Sequence, residues 1–477
     1  MAVTLQITDG TTTVDFTTTT GHHLLADYLP SFAMPTGDGS IPPYVTEAIP
    51  CHIYVTSGNN LAATMQSFHA LQLRAAQYFA DDTYETPVWF HRKLDDESGA
   101  VRYLVRSMHF TPNGNFGGPL DNAPALTEGR QGVLTIEHHP YAERTSATSV
   151  TTGTNLSVLG GGAAFNYTDV VGDVPARPYY IRLYGGSVGI SFTKVWIGFR
   201  SDAKITSGDA SDFVALWEVE LGSNLNNAAL AADATASPGG GNTKITASLP
   251  DADTTWRTNF DIDVDRIATD AGVSADAFNG AFVVLCRAKV PAGTAQVKLQ
   301  HQLVDADGPS RFGPVVEMTG TSWTIYNMGL VTMPTRNRRA FPIALKNASH
   351  DRSDKIVLWS RRKAAATATT LDIDCFVLIP VDEYFVYVHY CGIDSTKETW
   401  IGIEPDDKPS AGTIGTVGAD YWYTASPREV IGPGIPVGDG RMFICVAMDD
   451  DVAPAYNDDL DVGLSWYPRW ISYRGTE

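Results

Sequence analysis

Apolar residues in this chain recur mostly at every second position, the spacing of strands with one buried face. Val3-Thr4-Leu5-Gln6-Ile7 alternates, Asp9-Gly10 marks a turn, and Thr12 to Phe16 alternates again, which predicts a hairpin. One stretch breaks this rhythm. From Asn59 to Ala80, the apolar residues Leu61, Met65, Phe68, Leu71, Ala75, Tyr78 and Phe79 follow the 3.6-residue spacing of a one-sided helix. Strands are expected on either side of it: Ala48 to Val55 before, then Pro87 to His91, Val101 to Val105 and Gly132 to Glu137 after. The helix is expected to lay its apolar face on this small sandwich or barrel, which ends near residue 146.

Residues 145 to 165, from Thr145-Ser146-Ala147 through Gly160-Gly161-Gly162, have the composition of a linker. Beyond them strand patterns follow closely, from Tyr180 to Tyr184 and Lys194 to Phe199 through Ala281 to Lys289, Ala295 to Leu303 and Ser322 to Leu330, up to Asp372 to Pro380. Short strands separated by turn signals predict a jelly-roll-like β-sandwich. The expected division is therefore 1–146, an N-terminal β domain with one helix; 147–380, a jelly-roll or lectin-like sandwich; and 381–477, a C-terminal β region. The last contains Tyr384 to Tyr390, Glu398 to Ile403, Arg441 to Met448 and Val462 to Tyr467, and forms either a third unit or further strands of the middle one. The fold class is mainly β.

Composition agrees with this. The 43 glycines and 27 prolines suit short strands joined by tight turns. The formal net charge of −20 argues against a nucleic-acid surface, which needs a basic footprint. No apolar run reaches the roughly 18 residues of a membrane helix, and Met1 to Gly10 lacks the regions of a signal peptide, so the chain is expected to fold where it is made. Cys51, Cys286, Cys375, Cys391 and Cys445 are odd in number and mostly lie in apolar runs, which predicts buried free thiols.

Candidate chemistry is sparse. The pairs His22-His23 and His138-His139 point their members to opposite sides of a strand, so neither pair chelates a metal alone. Asp261, Asp263 and Asp265 alternate with Phe260, Ile262 and Val264, and read as a solvated strand face before a calcium site. The acidic stretches Met448-Asp449-Asp450-Asp451 and Asn457 to Asp461 read as exposed loops. The glycine clusters lack the lysine and the context of a phosphate loop, and no nucleophile elbow is present. No catalytic residue, cofactor or metal is expected. Tryptophans lie in or beside strands, and an exposed indole on a sandwich can serve as a platform for a sugar ring. Trp323 with Tyr326, in Ser322-Trp323-Thr324-Ile325-Tyr326, is the candidate ligand platform.

Several stretches together resemble one family, the distal tail proteins and related tail-tip or baseplate components of long-tailed phages. They are Leu5 to Thr12, Glu47-Ala48-Ile49-Pro50 with the helix that follows, Pro87 to Phe90, Arg102 to Val105, Gly172 to Ala176, and the ending Leu464-Ser465-Trp466-Tyr467-Pro468-Arg469-Trp470. The resemblance implies a structural virion protein, not an enzyme, whose N-terminal domain forms a ring, a hexamer in that family, at the distal end of the tail tube. It implies partners among tail tube, hub or fibre proteins, a location in the virion tail, and assembly in the host cytoplasm. The alternative is a carbohydrate-binding adhesin that recognises a host-surface glycan, and a glycoside hydrolase is a third reading.

Overall fold

The computed structural model describes residues 4–16, 22–24, 30, 41–53, 61–80, 86–93, 99–112, 130–158, 161–185, 191–201, 216–219, 222–223, 225–236, 242–249, 255–263, 280–303, 311–333, 354–363, 370–393, 397–415, 426–454 and 459–471. These residues are mainly β, with four antiparallel sheets and one α-helix.

The hairpin forms as the alternation predicts: Thr4–Thr8 pairs with Thr13–Asp15, burying Leu5, Ile7 and Val14. Its turn is built by Asp9, whose Oδ1 accepts the amide N–H groups of Thr11 at 2.8 Å and Thr12 at 2.6 Å, while Gly10 takes φ +88°. The helix spans Leu61–Ala80; positions 59 and 60 lie outside the described residues. Phe68, Leu71 and Ala75 are buried against Phe16, Met108 and Leu134, with the Phe68 ring 6.1 Å from Phe16 and 6.3 Å from Phe110. Arg74 on the helix forms an ion pair with Asp9 and so ties it to the hairpin turn. The strand Val101–Pro112 pairs with Trp89–Lys93 through its first residues. After an irregularity between Val105 and Ser107 it pairs with Arg130–His138, so one bent strand serves both halves of the unit.

The pairing departs from the linear division expected above. The run read as a linker holds two strands, Thr148–Ser157 and Gly162–Val170. Their partners are Asp459–Trp470, more than 300 residues away, and Gly438–Ala447, more than 260 residues away, and no local periodicity reports such a pairing. Thr148, Ser149, Thr151 and Thr152 make this stretch polar, and Thr is a strand former, so a strand here mimics a linker in composition. Residues 384–470 likewise form no separate unit. Tyr384–Ile393 and Gly438–Ala447 flank Phe192–Ser201 in a five-stranded sheet, and Lys397–Ile403 and Asp459–Trp470 flank Val174–Gly185. Between the two halves of this sandwich, residues 216–380 form two sheets of their own.

The sheets are stacked in layers. Val195, Ile197 and Phe199 point from the five-stranded sheet toward Ile181, Leu183, Leu464 and Trp466 of the long sheet. Trp196, Phe385, Phe443 and Cys445 point the other way, into a core shared with Phe282, Leu285 and Ile379. The strand Thr370–Pro380 is consequently buried over nearly its whole length, because another sheet covers each of its faces. Gly198 permits the closest approach in this stack: a β-carbon there would lie 2.2 Å from the Pro380 carbonyl oxygen. The five cysteines are free and buried, as their apolar surroundings predict.

Candidate binding groove

Trp323 and Tyr326 do not form a platform. They are three residues apart at the start of a strand, so their side chains leave opposite faces. Trp323 is 8% exposed and belongs to the core. Its Nε1 donates to Thr235 Oγ1 at 2.8 Å, and Lys289 Nζ lies 4.1 Å from its ring centroid. Arg287 lies over the same indole with its Cζ at 4.8 Å. The Tyr326 hydroxyl accepts the Gly320 amide N–H at 2.8 Å and so clamps the preceding turn. Both residues serve the fold.

Several of the other sequence candidates have local partners. Asp261 is buried and not on the solvated face expected, because Ser223 Oγ at 2.9 Å and Lys355 Nζ at 3.0 Å take up its two carboxylate oxygens; Asp265 lies outside the described residues. Asp451 of the acidic stretch forms an ion pair with Lys194. His138 is buried, with Nε2 3.1 Å from Glu47 Oε2 and Nδ1 2.6 Å from the His139 carbonyl oxygen, whereas His139 approaches Asp407 at 3.6 Å. The pair thus splits between two environments, as strand geometry predicts.

Trp256 and Trp359 lie on the outer face of the last sheet, where Ala295–Leu303 alternates buried Ala295, Val297 and Leu299 with outward Gln296, Lys298 and Gln300. Their rings sit among cations: Lys298 Nζ lies 4.3 Å from the Trp256 centroid and 4.0 Å from Phe312, and Arg361 Cζ lies 4.5 Å from Trp256. Burial, with Arg361 adding to it, lowers the Lys298 pKa. This is an aromatic–cation ladder across strands.

A concave site lies where the N-terminal unit meets the sandwich. The joint is made by the short strand Ala142–Arg144, which pairs with Val101–Pro112 on one edge and Asp459–Trp470 on the other. Its central residue, Glu143, is buried among arginines. Arg177 binds it bidentately at 2.6 and 2.8 Å, Arg469 Nε donates to it at 2.9 Å, and Arg102 stands 3.7 Å away. Burial alone would raise the Glu143 pKa; Arg177 and Arg469 outweigh it and hold the carboxyl at about 2. Arg177 also donates to the Ile403 carbonyl at 2.7 Å and Arg469 to Asp407 at 2.7 Å. Four elements distant in sequence are thereby fixed around one carboxylate.

Over this joint opens a groove of about 810 Å³. Its floor is the outer face of the sandwich, where one row across four strands reads Gly463, Arg182, Trp400, Gly412. The two large side chains thus have a glycine beside each of them, which leaves room above the sheet. Glu398 pairs with Arg182. Trp89 and Arg102 of the N-terminal unit form one wall, with the Arg102 guanidinium over both Trp89 at 4.0 Å and Tyr467 at 4.3 Å. Tyr179, 50% exposed, stands 5.2 Å from Tyr467 and 5.4 Å from Tyr180. The site therefore combines aromatic faces with a fixed guanidinium–carboxylate pair, groups suited to binding. The residues that build it come from positions 87 to 467, so their convergence leaves no signal in spacing.

No family model matches this chain, and no curated protein matches it in sequence. Among solved structures, it is similar to the N-terminal CBM22-1-CBM22-2 tandem domain of Paenibacillus barcinonensis Xyn10C, at 9% identity over 59% of this chain and 98% of that one, with a TM-score of 0.20. It is also similar to a structure of infectious bursal disease virus, Gt strain, at 9% identity over 69% of this chain and 81% of that one, with a TM-score of 0.17. Scores this low carry no argument about what the chain does.

Proposed function

We propose that this chain is a structural protein of a viral tail, in which the N-terminal unit assembles into a ring at the distal end of the tail tube and the stacked sheets project outward. The observation that carries the reading is the construction of the described residues between 4 and 144: a β unit with, among those residues, one helix packed on it, joined to the remainder through the buried Glu143 cluster. Such a joint makes the projecting part a rigid extension of the assembling part. Among the described residues, Thr13–Asp15 and Pro409–Gly415 are the two ends of the long sheet's main path, and His22–Leu24 and Thr148–Ser157 are further strands with one partner each. Edge strands and the exposed helix face with Leu73 supply surface for contacts repeated around an axis, which close into a ring. Tail tube, hub or fibre proteins are the partners this role requires, within a virion assembled in the host cytoplasm. Electron microscopy of the purified chain tests the reading: rings, six-fold in the family it resembles, with peripheral lobes are expected. A chain that stays monomeric at tens of micromolar and is absent from tails in labelled particles would overturn it.

A further inference from the structure

We propose that the groove over the Glu143 joint is a saccharide-binding site, and that its ligand is a neutral oligosaccharide. Three observations carry this. The first is shape: about 810 Å³, open at one side, is room for a few sugar rings and falls in the range of small-molecule sites. The second is the lining. Tyr179 and Trp400 offer aromatic surface to the C–H face of a pyranose, and the Arg182–Glu398 pair beside Trp400 offers donors and an acceptor at once. A vicinal diol both donates and accepts, so it matches such a pair. The third is charge. Arg102, Arg177 and Arg469 stand against Glu143, Asp407 and the rim carboxylate Glu404, and Arg182 against Glu398, so the charges around the groove cancel. With no surplus of either sign, nothing there selects a charged glycan over a neutral one. An extended peptide gains little from the floor by strand addition, because the main chain there is already paired between Ile181–Tyr184 and Glu398–Ile401.

The proposal does not depend on ring assembly and is read on the purified full chain in any oligomeric state. Gluco-, galacto- and manno-hexasaccharides are titrated while tryptophan fluorescence and heat are recorded. Binding of at least one series is expected, with affinity falling tenfold or more in Trp400→Ala and in Tyr179→Ala. The second variant alters a half-exposed side chain and leaves the core intact. Trp256→Ala, on the far sheet, is expected to bind as the parent does. Failure of all three series, binding only of a uronic-acid oligomer or a peptide, or equal loss in Trp256→Ala overturns the proposal.

Discussion

Glu143 shows how one buried charge can hold a molecule together. Its three arginines are largely dehydrated; removing the carboxylate takes this ion-pair partner from Arg102 and Arg177, while Arg469 keeps Asp407. Breaking a buried pair from one side costs about 3–5 kcal/mol, so Glu143→Ala is expected to lower stability by that order in urea titrations. Glu143→Gln should cost less, because the amide oxygen still accepts. The carboxyl lies at about 2 against an ordinary 4.5, so its contribution is complete above 4.5 and is lost as the pH falls toward 2. The shift corresponds to on the order of 3 kcal/mol. Unfolding free energies measured from pH 6 down to pH 3 should decline in the parent and decline less in Glu143→Gln. Parallel curves would show that the cluster does not set the acid response.

Among the elements, the helix and Gly198 make the sharpest contrasts. Leu71 is fully buried in the N-terminal core while Leu73, two residues on, is 59% exposed. Leu71→Ala is therefore expected to cost about 2–5 kcal/mol, and Leu73→Ala to stay within about 0.5 kcal/mol of the parent, both by denaturant unfolding. Equal effects would mean that the helix is rotated from the face described. At Gly198 a methyl group would meet the Pro380 carbonyl at 2.2 Å and Ile379 Cγ2 at 2.8 Å, both across the layer boundary. Gly198→Ala should cost about 1–3 kcal/mol or more through overpacking, read as a lowered melting temperature. At this scale the sequence was informative. Period-two alternation located the hairpin and strands such as Ala295–Leu303, and the 3.6 period located Leu61–Ala80, because each pattern is a direct trace of which face is buried. Long-range pairing left no such trace, and Thr148–Ser157 was hidden by its polarity. The site was hidden for a related reason. A core indole such as Trp323 and a groove indole such as Trp400 occupy similar local sequence, and what separates them is a neighbour contributed from elsewhere in the chain. The two-residue parity of strands did contain one warning, since Trp323 and Tyr326 could not share a face.

At the scale of the whole molecule, the interleaving of early and late strands makes the first 380 residues an incomplete structure, although they contain every strand of the two sheets built from residues 216–380. In the five-stranded sheet, Gly162–Val170 and Phe192–Ser201 are not neighbours; Gly438–Ala447 lies between them. In the long sheet, Asp459–Trp470 is the bridge between Ala142–Arg144 and Val174–Gly185. A fragment ending at 380 would thus hold isolated strands whose Val195, Ile197 and Phe199 had lost the apolar surface of Val386, Ile444 and Leu464. Unpaired strands with exposed apolar faces are aggregation-prone. In hydrogen exchange, amides of 162–170 and 192–201 are expected to be protected in the full chain and to exchange rapidly in fragment 1–380. Those of Gly280–Lys289, which keeps both of its partner strands, should lose much less. Full protection of 192–201 in the fragment would mean that the late strands are additions to a sandwich already complete without them, and the joint at Glu143, which needs Arg469, would then be dispensable as well.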